Sequence, residues 1–180
     1  AFNYVVSSFL SSRCQRYIEE MLIAPVSPLT MMLGYVLAGV TRGLINAATG
    51  LIIAEILADF HLFSPVTSFF ILFLTSYFFA QAGLTTGIFA RKFDDVSLMP
   101  TFVLTPMIYF GGVFYSVELL PPFWQHLSYF NPLFYIINGF RSAMLSSGDI
   151  SLTNSFLALG TMSVIITCVN LYLLAKRKSY

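Results

Sequence analysis

Residues 61–90 contain no Asp, Glu, Lys or Arg. A helix of that length rises roughly 45 Å at ~1.5 Å per residue, and a bilayer core of ~30 Å needs about 20 apolar residues. The stretch is not alone. Charge-free runs also cover 21–41, 43–54, 96–117, 119–140 and 150–175. Charged residues make up 9% of the chain, against ~25% in soluble domains, while apolar residues reach 57%. Seventeen charges on 180 residues (nine basic, eight acidic) cannot coat a small soluble body. Such hydrophobicity also excludes disorder. The net charge of +1 leaves no electrostatic footprint for nucleic acid. Lipid is the solvent that this composition fits.

Charge placement sorts the runs into spans. Arg13 and Arg16 form one basic cluster, Arg91 and Lys92 a second, and Lys176, Arg177 and Lys178 a third. The positive-inside rule puts all three in the cytoplasm. An even number of crossings must then separate successive clusters. Spans at 29–57 and 66–89 satisfy the first interval. The second offers 97–117, 119–140 and 151–175, one too many.

The odd one is 119–140. It holds Pro121-Pro122, Asn131-Pro132 and Asn138. Proline removes a backbone donor, and unsatisfied backbone survives at membrane depth only inside protein or against water. Asn131-Pro132 reads as an N-cap with proline at the first helical position. Two short helices are therefore expected, near 122–130 and 132–146, forming a re-entrant hairpin over 119–147 that enters from the outer face. Trp124, Tyr129 and Tyr135 suit an interface. Residues 1–12, too short to span, read as the end of a membrane helix. The expected fold class is all-α and polytopic, with residues 1–180 a single transmembrane domain.

Between Arg13 and Ala24, residues Cys14, Tyr17, Ile18, Met21 and Leu22 repeat at i, i+3, i+4, i+7 and i+8. That is one face of a helix. Arg13, Arg16, Glu19 and Glu20 fall on the other. The pattern suits either a helix resting on headgroups or a docking helix for a soluble partner. Glu19-Glu20 is also a pairing used by intramembrane proteases, but the remaining catalytic groups are lacking.

Arg42 lies some twelve residues into its span, ~17–20 Å deep. A cation at mid-helix costs ~2.5–3.5 kcal/mol on insertion scales. It must find water, an acid or a phosphate, or else snorkel, so it is a possible translocation-path residue. Gly39-xxx-Gly43 and Gly83-xxx-Gly87 allow close helix approach, within the chain or between two copies. Pro100 and Pro106 predict a kink in 97–117. Asp94-Asp95 reads as a turn and N-cap before Val96 rather than a divalent-cation site. There is no GxxxxGK[ST], HExxH or CxxC motif, so no catalytic, cofactor or metal-binding residue is assigned. Cys14 and Cys168 are too few for a disulfide framework.

Residues 100–145, PTFVLTPMIYFGGVFYSVELLPPFWQHLSYFNPLFYIINGFRSAML, resemble the ABC-2-type permeases of bacterial ABC exporters. The matching residues are Gly111, Gly112, Phe114, Tyr115, Leu120, Pro121, Trp124, Asn131, Pro132, Tyr135 and Arg141. The second proline, Pro122, departs slightly from the usual spacing. RYIEEMLIAPVSP at 16–28 and RKFDDVSLMP at 91–100 are similar to further elements of that family. The resemblance implies a six-span permease in the bacterial inner membrane, here without its first span and most of the second. Its outer hairpin lies between the last two spans. It implies a cytoplasmic coupling helix at 13–28, with Arg16, Tyr17, Glu19, Glu20 and Leu22 facing a separate ATP-binding cassette subunit. It also implies a second permease copy, ATP used only by the partner, and no cofactor in this chain. A secondary transporter is the alternative. It would show an inverted repeat or midplane acids, and neither is visible.

Overall fold

The computed structural model describes residues 1–15, 26–58, 64–90, 92–113, 117, 120–145 and 150–178. Among them every regular element is helical. In chain order these are α1 (Phe2–Cys14), α2 (Pro28–Ala58), α3 (Pro65–Phe89), α4 (Phe93–Met99), a π turn (Pro100–Leu104), α5 (Thr105–Phe110), α6 (Pro122–Tyr129), α7 (Pro132–Leu145) and α8 (Leu152–Lys178). Three are long and apolar enough to cross a membrane, over Pro28–Leu57, Pro65–Phe89 and Leu152–Lys176. The spans expected at 29–57, 66–89 and 151–175 fall on them. The stretch expected at 97–117 is built instead from α4, the π turn and α5, with helical residues running from 93 to 110. Where two short helices were expected at 122–130 and 132–146, α6 and α7 lie.

Three helix starts follow one local rule. Ser27 precedes Pro28, Ser64 precedes Pro65, and Asn131 precedes Pro132. Proline at the first helical position loses no intrahelical bond, and the polar residue before it can accept from an orphan N–H. Ser27 Oγ accepts from Thr30 N at 3.1 Å, and Asn131 Oδ1 accepts from Leu133 N at 3.0 Å. At α4 the N-cap reading needs correcting. The helix begins at Phe93, so Asp94 and Asp95 sit inside its first turn rather than before it. Asp95 Oδ2 reaches back to accept from Lys92 N at 3.0 Å. This is the returning half of a capping box, and it places carboxylates at the positive end of the helix.

The chain divides into two compact units. The first comprises Ala1–Asn46, Ser76–Met99 and Ser163–Tyr180. Its core gathers Val5 and Phe9 of α1, Met32, Val36 and Val40 of α2, Ala80, Leu84 and Ile88 of α3, and Leu174 of α8. The α2 and α3 sets each repeat every four residues, the ridge along which helices interdigitate. α1 buries Phe2, Val5, Val6, Phe9 and Leu10. Both glycine pairs lie where other helices come close. A Cβ on Gly39 would strike Val5 Cγ2 of α1, and one on Gly43 would lie 2.7 Å from Ser76 Oγ of α3 and 3.2 Å from the Cβ of Ala1, the residue before α1. A Cβ on Gly83 would lie 2.7 Å from the Phe2 carbonyl oxygen, and one on Gly87 3.2 Å from Phe9 Cδ1. Packing within the chain, one of the two uses open to these motifs, is realised here. Arg13 closes the arrangement, donating from Nη1 to Ala90 O at 2.9 Å just past the end of α3. A cation there also complements the negative end of that helix.

The second unit comprises Ala47–Thr75 and Pro100–Met162. Leu133, Phe134, Ile136 and Ala143 are buried apolar residues of α7. Gly139, on the same helix, lets α3 approach: a Cβ there would lie 2.8 Å from Ile71 Cδ1. Ser64 N donates to Ala143 O at 3.2 Å, which ties the start of α3 to the last turn of α7.

Candidate functional site

The hairpin is held by side chains that bond to backbone. Asn131 sits between α6 and α7 and is buried. Its Oδ1 caps α7, and its Nδ2 donates to Met107 O at 2.6 Å, in α5. The carbonyls of the last helical turn have no intrahelical donor. One amide therefore satisfies a helix start and a helix end. Arg141 of α7 donates from Nη2 to Gly112 O at 3.0 Å. Gly112 has φ of 78°, a left-handed conformation that strains any residue with a Cβ. Its neighbour Gly111 allows close approach. A Cβ there would lie 3.0 Å from Ile137 Cδ1 and 3.2 Å from Leu133 Cβ. Both glycines are needed for the chain to turn tightly against α7.

Aromatic rings complete the corner. Trp124 of α6 stacks on Phe110 of α5, with centroids 5.1 Å apart and planes 3° from parallel. Tyr135 donates from its hydroxyl to Tyr129 O at 2.9 Å, another helix-end carbonyl. Burial, aided by the Tyr129 phenol, holds the Tyr135 phenol above its ordinary range. Pro121 precedes α6 with φ −57° and ψ 149°, and Pro122 opens the helix. Phe114 and Tyr115 lie outside the described residues.

Asn138 plays a part that its sequence context did not reveal. It is buried, and its Oδ1 accepts from Ile150 N at 3.1 Å. Its Nδ2 donates to Ile150 O at 2.9 Å and to Ser155 Oγ at 2.8 Å. One amide thus satisfies both backbone groups of the residue that leads into α8. Asparagine in mid-helix among apolar neighbours was the available signal.

Arg42 is exposed on α2, and its Cζ lies 4.7 Å from the centre of the Tyr4 ring of α1. A guanidinium over an aromatic face gains from the ring quadrupole. The candidates considered from the sequence (water, an acid, a phosphate) left this aromatic partner out. Arg16, Tyr17, Glu19, Glu20 and Leu22 lie outside the described residues.

A second polar cluster, missed in the sequence, lies in the first unit. Tyr77, Gln81 and Thr85 repeat every four residues along α3, while Thr167 and Asn170 lie three apart on α8. Thr85 Oγ1 donates to Asn170 Oδ1 at 2.8 Å, and Asn170 Nδ2 donates to Gln81 Oε1 at 2.7 Å. Gln81 Nε2 donates to the Tyr77 hydroxyl at 3.0 Å. Tyr77 lies 2.9 Å from Thr167 Oγ1, which itself donates to Ser163 O at 2.7 Å. With the Thr167 proton committed to Ser163, Tyr77 must donate to Thr167. Gln81 and Asn170 are both fully buried, yet each amide has partners. This network joins two membrane-length helices without a charge, as hydrogen-bonding side chains do in bilayers. A polar i, i+4, i+8 stripe within the charge-free run 61–90 was its sequence signature.

The fold is that of a helical, multi-pass membrane protein. The model of the ABC-2 type transporter family matches residues 1–145. The chain belongs to that family and is a multi-pass inner membrane protein. It is 48% identical over 156 residues to the inner membrane transport permease YadH of Escherichia coli (strain K12), covering 87% of this chain and 61% of that protein. It is 26% identical over 166 residues to nodulation protein J of Rhizobium leguminosarum bv. viciae, covering 92% of this chain and 62% of that one. It is 28% identical over 177 residues to nodulation protein J of Neorhizobium galegae, covering 98% and 67%. The chain thus spans about three fifths of the length of YadH. No solved structure gives a significant match.

Proposed function

We propose that this chain is transmembrane machinery of an ATP-driven exporter, moving substrate outward across the inner membrane with energy from a separate ATP-binding cassette subunit. The observation that supports this reading is the match of the ABC-2 family model across 1–145, including the glycine turn and the hairpin sequence. Two copies of the permease would flank the path. The cytoplasmic segment 13–28 would take the motion of the ATPase through Arg16, Tyr17, Glu19, Glu20 and Leu22. Binding energy shifts a conformational equilibrium only through contacts that differ between its states. Residues 119–147 would enter and leave the membrane on the outer side. Arg42 would line the path, with Tyr4 holding its guanidinium when no anion is present.

The decisive experiment is purification of the full-length permease from membranes. A co-purifying ATPase with vanadate-sensitive hydrolysis is expected, and its absence would favour a secondary transporter. Glu19→Lys with Glu20→Lys should weaken that assembly while membrane insertion stays intact. Single cysteines at Leu119 and Gly148 should both label from the periplasm, and labelling from opposite sides would refute the hairpin. Arg42→Leu should lower hydrolysis in reconstituted vesicles more than it lowers expression. Arg42→Lys should restore only part, because Lys lacks the planar fork that grips an oxyanion. Full activity of Arg42→Leu would remove Arg42 from the path.

A further inference from the structure

The π turn at Pro100–Leu104 interrupts the helical residues between α4 and α5. A π turn bonds i to i+5 and so accommodates one residue more than an α turn does. Its surroundings favour that geometry. Pro100 and Pro106 bring no N–H to the ladder. Thr105 donates from Oγ1 to Pro100 O at 3.1 Å, across the same five-residue interval. None of its five residues is buried, and Phe102 is 71% exposed.

The segment downstream of the turn is, by contrast, firmly held. α5 and the Gly111-Gly112 turn are tied to the hairpin by Asn131 on Met107 O, by Arg141 on Gly112 O, and by the stack of Trp124 on Phe110. Any rotation of α5 about its own axis therefore carries α6 and α7 with it.

We propose that Pro100–Leu104 is a register switch. Converting the π turn to α geometry feeds the extra residue into the helix. α5 then advances by one position, about 100° around the axis and ~1.5 Å along it, and takes the hairpin along. The exposed turn repacks little in the change. Thr105 stabilises the π state.

One property makes the switch testable. Deleting a residue from within a π turn leaves the downstream helix where it was, in α geometry, with no residue left to feed. Phe102 is the residue to delete. The control deletes Ile165, equally open at 63% exposed, from the regular helix α8. In the full-length permease, ΔPhe102 should accumulate in membranes to within about twofold of wild type, while ΔIle165 should fall severalfold. Equal loss in both would show that the turn stores no register and would overturn the proposal.

The second arm measures the motion. Spin labels at Leu98 and Tyr109, both exposed, flank the turn. In the complex trapped with ATP and vanadate, the wild-type separation should change from its resting value, while ΔPhe102 should keep the resting separation in both states. Thr105→Val should shift the resting population toward the trapped value, and Thr105→Ser should not. A wild-type separation that is identical at rest and in a complex shown to be vanadate-trapped would overturn the switch and leave the ATP-driven reading standing. Failure to find any ATPase would strike that reading, and the deletion pair would still decide whether the turn stores a register.

Discussion

The two compact units employ polar side chains in opposite ways. In the first, Gln81, Asn170, Thr85, Tyr77 and Thr167 bond mainly to one another across α3 and α8. In the second, Asn131, Asn138, Arg141 and Tyr135 bond mainly to backbone. The difference arises from helix continuity. An unbroken helix satisfies its own N–H and C=O groups except at its ends. Where α3 and α8 run on, the backbone makes no demands, and polar side chains are free to pair. Where the chain breaks at 111–113, 130–131 and 150–151, orphan backbone groups must be met, and in a low-dielectric setting leaving them unmet is costly. The first unit uses polar groups to choose a partner helix. The second uses them to make a break tolerable.

This contrast predicts different sensitivities. The largest effect should come from Asn138→Leu. It strands the N–H and C=O of Ile150 together with Ser155 Oγ, at about 1–3 kcal/mol for each buried group that finds no new partner. Unfolding in mixed micelles should register a loss of roughly 2–4 kcal/mol. A loss below ~1 kcal/mol would erase the distinction between the units.

Gly83→Ala comes next, because the new methyl meets the Phe2 carbonyl, which is backbone and cannot rotate away. Overpacking of this kind costs about 1–3 kcal/mol. Gly50→Ala is the matching control, since nothing lies within 4 Å of a Cβ there. It should be neutral or slightly stabilising, as alanine is the better helix former. Similar losses in both variants would mean that α1 does not rest on Gly83.

The network in the first unit gives the sharpest test. Gln81→Leu alone should cost about 1–2 kcal/mol by leaving Asn170 and Tyr77 short of partners. The double variant Gln81→Leu with Asn170→Leu removes both amides, and replacing both partners by apolar groups is nearly neutral. Its stability should lie within ~1 kcal/mol of wild type. No comparable double replacement can rescue Asn138→Leu, because its partner is the main chain. A double variant worse than the sum of its parts would show that the network does more than pair two helices.

The smallest effect should come from Thr85→Val. Asn170 loses one donor there, while its own Nδ2 remains bonded to Gln81. Hydrogen bonds between membrane helices average ~0.6 kcal/mol, and the measured change should be of that order.

Much of this protein is set by local chemistry and is legible in the residues. The charge-free runs fix three membrane-length helices, because a long apolar segment in lipid has one way to satisfy its backbone. Asn131-Pro132 fixes a helix start, because capping and the missing proline donor act on neighbours in the chain. Pro100 and Pro106 announce a distortion, though not that it takes π form. α4 starts three residues earlier than its acidic pair suggests. Asp94 and Asp95 look like caps, and only the reach of Asp95 back to Lys92 shows that the helix has already begun. Tertiary structure alone decided the long-range pairings. Gly39-xxx-Gly43 and Gly83-xxx-Gly87 could have met any helix; the second pair met α1, and the first met α1 at Gly39 and Ser76 of α3 at Gly43. Arg42 could have sought any anion, and it found the Tyr4 ring. Gln81 and Asn170 are 89 positions apart, and Asn138 and Ile150 are separated by a chain turn. A side chain's hydrogen-bonding capacity is written in its type. Its partner depends on which surfaces the packed helices bring within roughly 3 Å, the reach of a hydrogen bond, and that is settled only when the whole core closes.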